Sequence, residues 1–103
     1  MDYEQTVMNL LISAGEARSQ AMLAIRHARM EEWTQAEKAL DASTEAIKEA
    51  HKVQTMLIGA DEGEGKVPVT LILVHAQDHL MTAMLCRDLA EELILLRKEI
   101  KGC

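Results

Sequence analysis

Leu73-Val-His-Ala-Gln-Asp-His-Leu-Met-Thr-Ala-Met-Leu-Cys86 decides the fold. Nothing between Thr70 and Lys101 breaks a helix, so the stretch reads as the opening turns of one long apolar rod. Positions three and four apart share a helix face. His75, Asp78, His79, Thr82 and Cys86 therefore form a polar stripe, with Leu71, Val74, Leu80, Met81, Met84, Leu85 and Leu89 around it. Two imidazoles and a carboxylate on an apolar face each need a partner, because unpaired buried polar groups are costly. A chain that needed only a helix would carry leucine there.

The rest of the composition agrees with an all-α chain. Nearly half of the 103 residues are hydrophobic, yet there is no Phe, one Trp and one Tyr. The apolar mass is Ala, Leu, Ile, Val and seven Met, and one Pro with five Gly leaves little turn material. The length supports one domain, residues 1–103, with a modest core. Seventeen acidic against eleven basic residues leave a formal charge of −6, which argues against nucleic acid and anionic membrane surfaces as partners. Met1 leads into Asp2, Glu4 and an amphipathic pattern with no signal peptide. The apolar run near the C-terminus is cut by Arg87, Asp88, Glu91 and Glu92, so it does not span a bilayer. Cys86 lies mid-helix and Cys103 is the last residue, which is no disulfide framework. Cytoplasm is the simplest compartment.

Two more helices precede the long one. From about Asp2 to Met30, Tyr3, Val7, Leu10, Leu11, Ala14, Ala17, Ala21, Ile25 and Ala28 recur at helical steps. Gly15 in its middle predicts a close helix crossing that a side chain would obstruct. Arg18, one turn later, serves equally as a solvated charge or an anion ligand. The second helix runs from about Thr34 to Ile58, with Ala36, Ala39, Leu40, Ser43, Ile47, Ala50, Gln54 and Leu57 inward. Trp33 staples its start to the core. His51, Gln54 and Thr55 are satisfied polar groups near its end. Gly59 to Pro68 is a Gly-rich acidic connector without a phosphate-cradling pattern or the alternating ligands of a calcium loop. The third helix is apolar nearly all round, and two partners in an antiparallel bundle cover only part of it. The remainder predicts a subunit interface, hence a three-helix bundle that oligomerises.

The stripe supports three readings. Buried hydrogen-bonded residues that fix helix register are the blandest, and that account weakens when three such residues occur together. Metal binding is the second: His75 and His79 have the i, i+4 spacing of a helical zinc pair, but Ala76 stands where a zinc protease has Glu, and one turn supplies too few ligands. A nucleophilic histidine is the third, since neutral imidazole accepts a phosphoryl group when one nitrogen is exposed and the other is held as a donor. Composition and spacing leave the last two open.

Three segments carry a resemblance. Ser13-Ala-Gly-Glu-Ala-Arg-Ser19, Glu49-Ala-His-Lys-Val-Gln-Thr55 and, most specifically, Val74-His-Ala-Gln-Asp-His-Leu-Met-Thr82 resemble the enzyme IIA component of the bacterial phosphoenolpyruvate-dependent sugar phosphotransferase system, lactose/cellobiose (chitobiose) type. The likeness covers essentially the whole chain, and the loop Asp61–Lys66 with Val67 to Leu73 looks closer to the cellobiose/chitobiose branch. Glu16 and Trp33 depart from the usual Gln and Phe, and the chain begins almost at its first helix, without the longer leader of some members.

The resemblance implies a homotrimer of three-helix subunits, a nine-helix bundle. It implies phosphorylation of His75 as a tele-phosphohistidine by the phosphocarrier HPr, and transfer to a cysteine of the cognate IIB component during uptake of a β-linked disaccharide through the membrane component IIC. Gln77 and His79 match motif positions lining a cleft between subunits. Asp78 matches the aspartate at the trimer axis, where one Mg2+ per trimer neutralises three carboxylates. Converging carboxylates in a low-dielectric core repel strongly, so a hard cation with oxygen ligands is a sensible remedy. The rival expectation is a trimeric helical regulatory or scaffold protein of the same fold without phosphoryl transfer.

Overall fold

Asp2 opens the first helix: its carboxylate accepts a hydrogen bond from the Gln5 backbone N–H at 3.2 Å and satisfies one free amide of the N-terminus. A computed structural model describes residues 1–102. Cys103, expected to stay out of any disulfide framework, lies outside the described residues. Helix α1 spans Tyr3–Arg29, α2 spans Trp33–Asp61 and α3 spans Leu71–Lys101. At 1.5 Å per residue each is roughly 40–46 Å long, and the bundle measures 53 × 19 × 19 Å, so the chain runs up, down and up.

The turn between α1 and α2 is a Schellman motif. Glu32 N–H donates to the His27 carbonyl and Glu31 N–H to the Ala28 carbonyl, with Glu31 left-handed at φ 60. At its far end α2 runs three residues beyond the expected stop. Gly59, Ala60 and Asp61 are helical, because a helical Gly costs only about 1 kcal/mol and the real stop signals are Glu62 and Gly63, both at positive φ. The Asp61 carboxylate then accepts from the backbone N–H of Gly65 at 3.3 Å and of Val67 at 3.0 Å. The connector is thus folded back onto α2, and Val67 is buried under it. Thr70 caps α3 by accepting from Leu73 N–H at 3.2 Å.

The core has two stacked clusters, built largely from alanine. Near the loop end lie Val7, Leu10, Ala14, Ala50, Leu57, Leu73, Ala76 and Leu80. Near the opposite end lie Ala21, Ala24, Ala28, Ala36, Leu40, Ala90 and Ile94, with Trp33, Ile25 and Cys86 packed against them. Small side chains let the helices approach closely, and α1 lies along both other helices. The expected inward faces of α1 and α2 are the observed ones.

Burial along α3 follows Leu73, Ala76, Leu80, Ala83, Ala90 and Ile94 on one line. The opposite line, Leu71, Val74, Met81, Leu85, Leu89 and Leu96, is exposed, with Leu71 at 87%. The helix is apolar on a side its own chain does not cover. Among the described residues no helix is long and apolar enough to cross a membrane.

Candidate functional site

The first two turns of α3 carry His75, Gln77, Asp78 and His79, held in place by the Thr70 cap behind them and by Ala76 and Leu80 in the core. Successive residues on a helix are about 100° apart, so His79 falls on the flank facing α1 and Gln77 on the flank facing α2. His75 and Asp78 lie farther round, and their side chains are 61% and 66% exposed. The polar stripe is therefore only partly covered by its own bundle, and the reading of buried hydrogen-bonded residues that fix helix register does not describe His75 and Asp78 within one chain. The reason is geometric: α1 and α2 cover one half of α3, and the stripe straddles the edge of that cover.

His75 Nδ1 stands 3.4 Å from Asp78 Oδ1. In the tautomer that carries its proton on Nδ1, facing the carboxylate, the imidazole keeps a lone pair on Nε2. The His75 and His79 rings stack, 5.9 Å between centroids and 5° from parallel. His79 is partly buried, and its Nε2 would lie 3.6 Å from a Cβ built on Gly15. That is ordinary contact, so the crowded crossing expected at Gly15 is not present; the glycine sits against the His79 imidazole instead. Thr82 donates its hydroxyl to the His79 carbonyl at 3.0 Å, a local bond of the helix.

Gln77 is partly buried and accepts a hydrogen bond from Gln54 Nε2 across the α2–α3 boundary. Beside Gln77 a shallow apolar hollow of about 240 Å³ opens over Leu57, Val67 and Leu73. Three segments far apart in the chain thus meet: Ser13–Ser19 touches the site through Gly15, Glu49–Thr55 through Gln54, and Val74–Thr82 supplies the histidines. Arg18, His51 and Thr55 are exposed, and among the described residues no hydrogen bond or ion pair joins them to His75. Cys86 is partly buried against the lower core cluster, as a packing residue. Gln54 was legible as a polar group on an inner face, but its partner 23 residues away was not.

Metal binding does not follow from one chain. Among the described residues no three His, Cys, Asp or Glu side chains are grouped to hold an ion. Asp78 supplies one carboxylate, whereas a hard divalent cation takes about six oxygen ligands. The His75 and His79 rings lie stacked and parallel and do not converge on one point as a zinc pair would.

Comparison with known proteins identifies the family. Residues 5–98 match the family model "PTS system, Lactose/Cellobiose specific IIA subunit". The N,N'-diacetylchitobiose-specific EIIA component of Escherichia coli K12 is 50% identical over 101 residues, covering 98% of this chain and 87% of that protein. Among solved structures, the cellobiose-specific enzyme IIA of Bacillus anthracis superimposes with a TM-score of 0.94 at 38% identity, covering 99% of this chain and 94% of that one. The Escherichia coli IIA(chitobiose) chain, solved in complex with HPr, gives 0.85 at 48% identity, with 98% of both chains covered. The chain belongs to the lactose/cellobiose-specific IIA family of the sugar phosphotransferase system.

Proposed function

We propose that this chain, as a single IIA domain, is a cytoplasmic phosphoryl carrier of the chitobiose/cellobiose branch. The observation that carries the proposal is His75 itself: an exposed imidazole whose Nδ1 faces a carboxylate at 3.4 Å, which leaves Nε2 as the nitrogen for phosphoryl transfer. In the first step the Nε2 lone pair forms a bond to phosphorus as the phosphorus–nitrogen bond of phospho-HPr breaks. The negative oxygens of the phosphoryl group it now carries balance the positive charge left on the His75 ring. In the second step a cysteine thiolate of the IIB component attacks the same phosphorus, the bond to Nε2 breaks, and His75 recovers its lone pair. Such transfers need chiefly positioning and charge stabilisation, which His79 and the Gln77 of a neighbouring subunit supply. Two different proteins must reach one nitrogen, and the exposure of His75 suits brief encounters of that kind. The onward transfer serves sugar uptake through IIC, the component that places this chain near the membrane.

The uncovered apolar line of α3 supports a homotrimer with that line at its axis. Asp78 lies on the same side as Val74 and Leu85, so three copies of its carboxylate gather there. One Mg2+ per trimer, held by the three Asp78 side chains with water completing its shell, would neutralise their charge. This fits the donor set, since hard oxygen ligands are what the site offers.

Intact-mass analysis tests the proposal. After incubation with phosphoenolpyruvate, enzyme I and HPr, the wild type gains one acid-labile phosphate per chain and His75→Ala gains none. No gain with a competent HPr overturns the carrier function. A gain that persists in His75→Ala moves the site to another histidine.

A further inference from the structure

We infer that Gln54 is a positioning residue for phosphoryl transfer: by donating from Nε2 to Gln77 Oε1, it turns the Gln77 amino group toward the phosphoryl group. The inference rests on the carrier function and the trimer proposed above. A glutamine amide has an acceptor at one end and two donors at the other, and its terminal torsion is broad and roughly two-fold. Left alone, Gln77 would present either end. The hydrogen bond from Gln54 occupies the oxygen, so the nitrogen and its hydrogens are left for another acceptor. A phosphoryl group in flight carries its negative charge on three oxygens, which donors stabilise and a carbonyl oxygen repels.

The phosphoryl group that Gln77 meets belongs to another subunit. Gln77 is two residues from His75, hence about 200° away round α3, and cannot reach its own histidine's Nε2. The apolar line through Val74, Asp78 and Leu85 lies midway between the two on the outer side. When three copies pack about that line, the His75 flank of one subunit abuts the Gln77 flank of the next, about 3 Å apart in height. The Gln54–Gln77 pair of one subunit therefore serves His75 of its neighbour.

Gln54→Glu separates positioning from mere packing. A carboxylate has no donor, so Gln77 rotates its amide and donates to it; the bond between α2 and α3 survives, but the oxygen now faces the phosphoryl group. Thr55→Glu places the same charge on the adjacent, exposed position and controls for it. Single-turnover transfer from saturating phospho-HPr is the readout, with melting temperature and trimer mass measured alongside. The expected result is a loss of at least about tenfold for Gln54→Glu at unchanged melting temperature, and less than about twofold for Thr55→Glu. Wild-type transfer by a folded Gln54→Glu, or equal losses in both glutamate variants, overturns the inference. Should Gln54→Glu fail to fold, Gln54→Met removes the bond without adding charge, and a rate equal to wild type then overturns it. Failure of the carrier function itself looks different: the wild type takes up no phosphate.

Discussion

The Ser43 hydroxyl donates to the Ala17 carbonyl oxygen at 2.7 Å, and Ser43 is the one fully buried polar side chain among the described residues. The bond ties the middle of α2 to the middle of α1, at the junction of the two alanine-rich clusters, where few large side chains interlock. It fixes the axial register of one helix against the other. Ser43→Ala removes the donor and leaves a carbonyl that still accepts from its own helix, so the cost is that of one net hydrogen bond, about 1 kcal/mol. Thermal unfolding should show a melting temperature lower by roughly 4–8 °C.

Gly15→Ala is expected to stabilise. The new methyl meets His79 Nε2 at 3.6 Å, ordinary contact, while the helix gains about 1 kcal/mol of propensity. A melting temperature that falls would mean that the imidazole cannot hold its place beside a methyl group.

Leu85→Asp tests the uncovered face of α3. Leu85 is 60% exposed in the isolated chain, so the substitution disturbs no internal packing. At a trimer axis it buries three more unpaired charges. On the proposed trimer, light scattering should show three chains for the wild type and one for the variant, with helical circular dichroism retained. A trimer that survives would place the axis elsewhere.

Acid should weaken one end of the bundle. Lys101 Nζ lies 2.6 Å from Glu31 Oε1, and its hydrogen bond and charge hold the Glu31 carboxyl below its ordinary range. A carboxyl whose folded pKa is depressed contributes stability above its unfolded pKa and loses it as pH falls through the folded one. Glu31 is exposed, so the contribution is small and screened by salt. Wild type should melt slightly above Glu31→Gln at neutral pH, and the two curves should converge in acid or in high salt.

Much of this was legible from residue order. Helical periodicity placed the three helices, Thr70 marked the start of α3, and the excess of apolar residues on α3 announced a face its own chain leaves bare. Glycine at position 59 reads as a stop, whereas α2 ends where φ turns positive at Glu62. At Gly15, spacing says which face the glycine is on but not how far away the facing group lies.

Local sequence determined the helices, their caps and the candidate nucleophile, because these depend on neighbours within four or five residues. Tertiary structure alone decided that Gly15 lies against His79, that Gln54 holds the Gln77 amide, and that His75 and Asp78 sit at the edge of the cover rather than beneath it. Those relationships link residues 23 to 64 positions apart, and they are set by how far each helix slides and turns against the next. The sum of all packing contacts fixes that, and no single segment encodes it.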